Sequence, residues 1–503
     1  MQLNISKRWI FLWICLIILN LIMRIPLTPH EIGHDSFLIH FVADSISTYG
    51  HAKWWLNPLS IAGLYPFSMA SAMPFYLSGV SQSLSLGMEQ TIWYALVALG
   101  ILSVFTAYLM AGAIKNDKNF KFITALVYSL SPGILVYTTW NATGRGLFLV
   151  LLPLFIYFLA KSRYSELKYS LFTVVLLILL FVTHNLIYFL VPILFAFVVS
   201  LIINKIQFKS SIFFGGFVLI ILFIILFMQF SVKDVTIVSI IYNYMRYIGV
   251  VGILAIGGFI SILFKKNKTF EENFILLGLL FFTPFMGILL YSKFFILPFL
   301  SLLVSYGFLN MIKITKNRNI AFFFIIIILL TSIGMAEFYQ FGRSNIEEQK
   351  QYTRYSAEES TVNAALWTKS YINKMSYADD TVLSRRILAY SGAIMLGESN
   401  IVYPVQDNLE GFNITMRSPF SPVFYSEGPY EAENITGITV WVWTKLGIEG
   451  LDSIRWGFLA EAYGVNYYIQ NERIVTVFSS SSKLKENAKI FDNGGVGIWN
   501  LND

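Results

Sequence analysis

The sequence predicts a polytopic α-helical membrane protein with a mixed α/β domain at its extracytoplasmic C-terminal end. Three observations predict it. Of 503 residues, 56% are hydrophobic and 17% aromatic, and the mean hydropathy is +0.64, far more apolar than a soluble domain. Apolar windows able to cross about 30 Å of hydrocarbon recur about eleven times. The formal charge of +7 is unevenly spread, because residues 1–335 hold 22 Lys and Arg against 9 Asp and Glu, whereas residues 336–503 hold 14 against 20. The two parts therefore face different solvents.

The windows lie at 9–27, 91–114, 120–137, 145–160, 169–183, 186–203, 212–230, 247–264, 274–291, 294–311 and 320–335. The first is too long for a removable signal peptide and lacks a small-residue cleavage site, so it reads as a retained anchor. A further stretch, 70–86, is moderately apolar and rich in serine, and whether it crosses decides the topology. If it does not cross, Lys7/Arg8, "KNDKNFK" (115–121), "KSRYSELK" (161–168), "NKIQFK" (204–209), "KKNKTFEEN" (265–273) and "KITKNRN" (313–319) all face the cytoplasm. Sixteen of the 22 basic residues are then inside, as the positive-inside rule requires. Residues 70–86 are therefore expected to lie on the outer surface as an amphipathic helix, within an outer loop spanning 28–90. The N-terminus is then cytoplasmic, and 357–503 form an extracytoplasmic domain after a polar linker, 336–356.

That domain reads as helix over 357–374, short strands at 381–384, 400–404, 465–470 and 474–478, a helix over 453–464, and a hairpin over 489–501 turning at Asn-Gly-Gly. The lone cysteine, Cys15, lies in the first apolar run and excludes disulfides and cysteine metal sites. Walker loop, dinucleotide glycine fingerprint, CxxC and HExxH are all absent, which disfavours soluble nucleotide chemistry, and no nucleic-acid partner is expected.

This topology gathers His30, His34, His40, His51 and His184 on the outer side. The stretch "HEIGHDSFLIHFVADSISTYG" (30–50) sets Glu31, His34 and Asp35 where hydrocarbon gives way to water. Asp35 is the candidate catalytic acid, placed to accept a proton from an acceptor hydroxyl. With Glu31 and His34 it could instead hold Mg²⁺ or Mn²⁺. Asp35 or Ser36 equally suits a helix N-cap, so both roles stay open. Few cations lie outside. Arg145, between Gly144 and Gly146, Arg246 in "YNYMRY" and Lys293 in "YSKFF" could jointly receive a phosphate or pyrophosphate, although each alone also suits lipid phosphates. His184 reads equally as a substrate contact or as a partner of nearby backbone. Tyr65, with Trp54, Trp55, Trp140 and Tyr242, could stack on a sugar or belong to an interfacial aromatic belt.

The order of these features, one span, an outer loop opening with an acid, and an outer C-terminal domain, resembles the GT-C superfamily of integral-membrane glycosyltransferases, which includes oligosaccharyltransferases and protein mannosyltransferases. The residues carrying it are Asp35, "STYGHAKWWLNP", "GLYPFS" with the following "PF", and the segment from "NAALWTKSYI" through "AKIFDNGGVGIWNL". The resemblance implies a GT-C-like domain over 1–335 that transfers a sugar from a polyprenyl-phosphate or -pyrophosphate donor to a glycan or protein acceptor on the outer face of a plasma membrane. Asp35 matches the first-loop acid. The oligosaccharyltransferase pattern also has an acid in the second outer loop and a WWDYG motif, whereas here stand "TTWNATGRG" (138–146) and "WVWTKLG" (441–447). A metal-independent monosaccharide transferase fits that departure. The competing readings are a transporter or flippase of lipid-linked glycans, against which stands the lack of repeated halves, and a non-catalytic membrane scaffold.

Overall fold

The structure is a computed structural model that describes residues 7–50, 72–164, 166–206, 246–282, 292–315, 323–324, 326–336, 356–378, 380–393, 395–396, 414–416, 430–432, 451–462, 464–473, 484 and 488–501. In the first part, α1 is Lys7–Ile22, α2 His34–Tyr49, α3 Ala72–Leu84, α4 Met88–Ile114, α5 Lys118–Ser129, α6 Pro132–Leu135, α7 Gly144–Ser162, α8 Leu167–Thr183, α9 Leu190–Ile206, α10 Ile253–Leu263, α11 Phe270–Phe282, α12 Ser292–Phe295, α13 Leu297–Ile314 and α14 Ile326–Ala336. In the C-terminal part, α15 is Glu359–Tyr371, β1 Met375–Ala378, α16 Thr381–Ser391, β2 Met395–Leu396, β3 Ile414–Met416, β4 Tyr430–Ala432, α17 Ile454–Ala462, β5 Val465–Asn471, β6 Lys489–Asp492 and β7 Val496–Asn500.

Among the described residues, four helices are long and apolar enough to cross a membrane: Met88–Ile114, Gly144–Ser162, Leu186–Lys205 and Leu297–Ile314. Leu167–Thr183, Val250–Leu263 and Ile326–Ala336 are shorter apolar helices. The window at 212–230 lies outside the described residues. The window at 120–137 is not one helix but two, α5 and α6. Pro132 cannot donate a backbone hydrogen bond and forces Ser131 out of the helical region, to φ −65 and ψ 141.

Helices α10 and α13 meet backbone to backbone. A Cβ on Gly258 would lie 2.0 Å from the Leu303 carbonyl oxygen, and one on Gly307 would lie 1.9 Å from that of Leu254. Small residues are what let apolar helices approach this closely where no solvent drives them together.

The serine-rich stretch forms α3 and packs on α2. Met73 and Leu77 are buried, and the Ser78 and Ser47 hydroxyls are 2.9 Å apart. Helix α2 in turn enters the C-terminal core: Leu38, Phe41, Val42 and Ile46 cluster with Tyr377, Leu383, Ile387, Trp456 and Tyr468. The helix at the bundle mouth is thereby clamped from above.

The C-terminal sheet has the order β2-β1-β5-β7-β6, parallel from β2 to β5 and antiparallel beyond. The expected helices near 357–374 and 453–464, the strand at 465–470 and the hairpin at 489–501 are present as α15, α17, β5 and β6–β7, with Gly494 at φ 73 in the turn. Residues 381–384 are a correction: they open helix α16. The Asp380 carboxylate accepts the Val382 and Leu383 amides at 3.0 and 3.3 Å, an N-cap that overrides the β-branched run. The segments at 400–404 and 474–478 lie outside the described residues.

Candidate active site at the outer mouth of the bundle

Helix α2 begins after Gly33, which adopts φ 99 and ψ 133, a conformation costly for any side-chain-bearing residue. A Cβ there would also stand 2.2 Å from Asn141 Oδ1. Gly33 is therefore the N-cap residue, and neither Asp35 nor Ser36 caps the helix. Asp35 falls within the first turn, where its carboxylate complements the positive end of the helix dipole.

Arg145 occupies the matching position in α7. Thr143 caps that helix, its hydroxyl accepting the Gly146 N–H at 3.1 Å. A guanidinium gains nothing from a helix N-terminus; its anionic partner is Asp35, whose Oδ2 lies 3.0 Å from Arg145 Nη2. The side chains are 27% and 21% exposed, so the pair stands at a partly wet mouth. Gly146 serves packing, because a Cβ on it would meet the Tyr137 carbonyl oxygen at 2.4 Å.

An aromatic strip links the other cations to this point. The Arg145 guanidinium stands 5.9 Å from the centre of the Tyr137 ring, Tyr137 meets Phe294 edge-on at 5.2 Å, Phe294 meets Tyr247 at 4.8 Å, and Arg246 stands 5.9 Å from the Tyr247 ring. Phe294 directly follows Lys293, and Tyr247 directly follows Arg246. Three loops far apart in sequence thus bring their basic positions to one strip. Lys293 itself lies in α12, but its side chain, like all of Tyr65, is outside the described residues.

Beneath Asp35 lies a buried polar knot. Glu31 is fully buried; its Oε2 accepts the Ser36 hydroxyl at 2.8 Å and its Oε1 pairs with His40 Nδ1. Ser36 also accepts the Ala142 amide at 2.9 Å, and the Ile32 amide donates to the Trp140 carbonyl at 3.0 Å. These bonds tie α2 to the connection between α6 and α7 and set Asp35 against Arg145. Glu89 at the start of α4 accepts from the Glu31 amide at 3.2 Å, from the Tyr390 hydroxyl at 2.9 Å and pairs with His30 Nδ1 at 3.0 Å. His30 Nε2 reaches Glu359 of α15 at 2.9 Å, so one imidazole spans bundle and outer domain.

The knot also sets protonation. His30 is held above the ordinary imidazole range, first by its bond to Glu89 and further by Glu359. Burial pushes His40 down, but the charge and hydrogen bond of Glu31 outweigh it and the net shift is upward. Burial, reinforced by Glu31 and Glu89, drives the Tyr390 phenol far up, so it stays a donor. The sequence marks Glu31 as a ligand-side acid but does not show its partners Ser36, His40 and Glu89, nor the Tyr390 hydroxyl that Glu89 accepts. The spacing His30-Glu31-Ser36-His40 was the available signal; Glu89 and Tyr390 arrive only through the tertiary fold.

His184 follows α8, and its Nδ1 accepts the Leu186 amide at 3.2 Å, which places the ring proton on Nε2 in the neutral form. It thus serves nearby backbone as an acceptor.

Glu31, His34 and Asp35 do not form a metal site. Glu31 is buried on Ser36 and His40, Asp35 is on Arg145, and among the described residues no group of three or more His, Cys, Asp or Glu is arranged to hold an ion.

A multi-helix bundle, an acid in the first turn of α2 and an α/β domain packed onto that helix make up a fold similar to that of a solved oligosaccharyltransferase. The chain is similar in structure to the Archaeoglobus fulgidus oligosaccharyltransferase. Against its complex with Zn and sulfate the TM-score is 0.63 at 10% identity, over 92% of this chain and 68% of that one. Against the form tethered by a disulfide to an acceptor peptide with the NVT sequon it is 0.60 at 11%, over 93% and 69%. Against the apo form it is 0.58 at 11%, over 93% and 70%. No protein-family model matches the chain, and sequence comparison with curated proteins finds no significant match.

Proposed function

We propose that the protein is a glycosyltransferase that moves a sugar from a polyprenyl-phosphate or -pyrophosphate donor to a glycan or protein acceptor at the outer face of the membrane. The observation that carries the reading is the Asp35–Arg145 pair, an acid and a guanidinium facing each other in a fold similar to that of an oligosaccharyltransferase. Asp35 takes the proton from the acceptor as its oxygen or nitrogen bonds to the anomeric carbon. The anomeric C–O bond breaks, and its electron pair leaves with the lipid phosphate. Arg145, whose five N–H donors can serve a carboxylate and a phosphate together, receives that charge, with Arg246 and Lys293 along the aromatic strip. No step runs through Mg²⁺ or Mn²⁺, because the candidate ligands do not converge.

Supporting the topology, α3 occupies the stretch expected to lie on the outer surface, and His30 joins the first loop to α15. That contact supports one shared compartment for both. The test is transfer from a radiolabelled polyprenyl-phosphate sugar by purified protein in lipid. Asp35→Asn is expected to reduce the rate by about 10²–10⁴-fold, the usual worth of a positioned acid or base. Undiminished transfer would remove Asp35 from the chemistry, and translocation of the labelled lipid without transfer would favour a flippase.

A further inference from the structure

Two residues beyond α1 stands Arg24, which the proposed chemistry does not touch. Arg24 is fully buried and makes four hydrogen bonds, all to neutral groups: Nε to Thr138 Oγ1 at 3.1 Å, Nη1 to the Asn20 carbonyl at 3.0 Å and to Asn20 Oδ1 at 2.8 Å, and Nη2 to the Ser129 carbonyl at 3.0 Å. Burying a guanidinium among apolar helices without a paired carboxylate is expensive, and such residues mark functional machinery more often than packing. The surroundings are shaped to it. A Cβ on Gly100 of α4 would stand 1.8 Å from Arg24 Nε, and the Trp93 indole donates to the Arg24 carbonyl at 3.4 Å.

The two groups gripped from α5 onward, Ser129 and Thr138, bracket the chain reversal that enters the second outer loop. Immediately beside Thr138 stands Tyr137, whose ring lies under the Arg145 guanidinium and whose carbonyl abuts Gly146. The reversal is also braced internally, with Thr138 donating to the Ile134 carbonyl at 2.8 Å and Asn141 to that of Val136 at 3.0 Å. We propose that Arg24 is a positioning residue: by holding both ends of the 129–138 reversal against the first span, it fixes Tyr137 and hence the placement of Arg145 opposite Asp35. An apolar side chain could fill the volume, but only a planar fork reaches Nε, Nη1 and Nη2 partners on two segments at once.

This rests on the glycosyltransferase reading, and two readouts keep the failures apart. The first needs no activity. Hydrogen exchange in lipid nanodiscs is expected to rise in Arg24→Gln and Arg24→Lys at the amides of 137–146, while those of β5 and β7 in the outer domain stay as protected as in the parent. The second is a double-mutant cycle on donor-dependent transfer. Arg24→Lys is expected to lower kcat/KM by about 10- to 100-fold, the cost of an ångström-scale misplacement, and by less than about twofold when added to Arg145→Ala. Gly100→Ala, which keeps Arg24 but displaces its guanidinium, should reproduce the effect if Arg24→Gln does not fold. Unchanged exchange at 137–146, or full additivity with Arg145→Ala, overturns the proposal. If the protein transfers no sugar at all, the glycosyltransferase reading falls and the exchange experiment still decides the role of Arg24.

Discussion

Asp35 Oδ2 and Arg145 Nη2 stand 3.0 Å apart, each in the first turn of its own helix and each more than a fifth exposed. An ion pair this wet contributes about 0–1 kcal/mol to stability. Its value must lie elsewhere if it has any. Asp35→Asn and Arg145→Ala are therefore expected to leave the thermal midpoint within a few degrees of the parent while lowering sugar transfer by about 10²-fold or more. Parallel thermal melts and transfer assays check it; loss of activity that merely tracks loss of fold would make the pair a brace.

Glu31 presents the opposite case. It is fully buried, and its two oxygens serve Ser36 and His40. Glu31→Ala strands a buried imidazole and a buried hydroxyl, and is expected to destabilise by about 3–5 kcal/mol. Ser36→Ala removes one donor and orphans the Ala142 amide, at about 1–3 kcal/mol. Denaturant melts should rank Glu31→Ala below Ser36→Ala, and Ser36→Ala below the parent.

The histidines predict a direction with pH. His30 and His40 both bind their protons more tightly in the folded chain than in the unfolded one. Their contribution is thus fully present below the unfolded imidazole value of about 6.5 and fades as pH rises through the raised folded values. The groups facing them are Glu89, Glu359 and Tyr390 around His30, and Glu31, Asp44, Glu89 and Tyr390 around His40. Thermal midpoints measured from pH 5.5 to 8.5 should fall toward the alkaline end, and the slope should shrink in His30→Gln. Because Glu359 is 70% exposed, Glu359→Gln should flatten the slope only slightly.

Much of this was legible in the sequence, for physical reasons. Hydropathy reports which segments can leave water, so the apolar helices and the more polar C-terminal α/β part could be read directly. Local chemistry announced the β6–β7 hairpin through Asn-Gly-Gly and α17 through its glycine stop. Local chemistry also misled where capping competed with propensity: Thr381-Val382-Leu383 has strand character, but Asp380 starts a helix there. Asp35, Arg145 and Arg246 could be picked out as rare outer charges. Their arrangement could not, because Tyr137, Phe294 and Tyr247 join into one strip only when three loops meet. Arg24 was invisible as a site for the same reason, since Thr138 and Ser129, the partners it joins, lie more than a hundred residues away.

That strip depends on two helices keeping their spacing, which gives a last prediction. Tyr247 precedes α10 and Phe294 precedes α13, and their rings touch at 4.8 Å. The helices themselves are held together at Gly258 and Gly307, where added Cβ atoms would collide with backbone carbonyl oxygens at 2.0 and 1.9 Å. A backbone oxygen in a helix cannot swing aside as a side chain can, so the helices must part. Gly307→Val is expected to destabilise by about 1–3 kcal/mol through overpacking. It should also raise the KM for the lipid-linked donor, by separating Phe294 from Tyr247 and so Arg145 from Arg246. Gly257→Ala, next in sequence to Gly258 but with nothing within 4 Å of the new Cβ, is the control and should change neither quantity. If Gly257→Ala and Gly307→Val shift donor KM equally, the spacing of α10 and α13 has no bearing on the site.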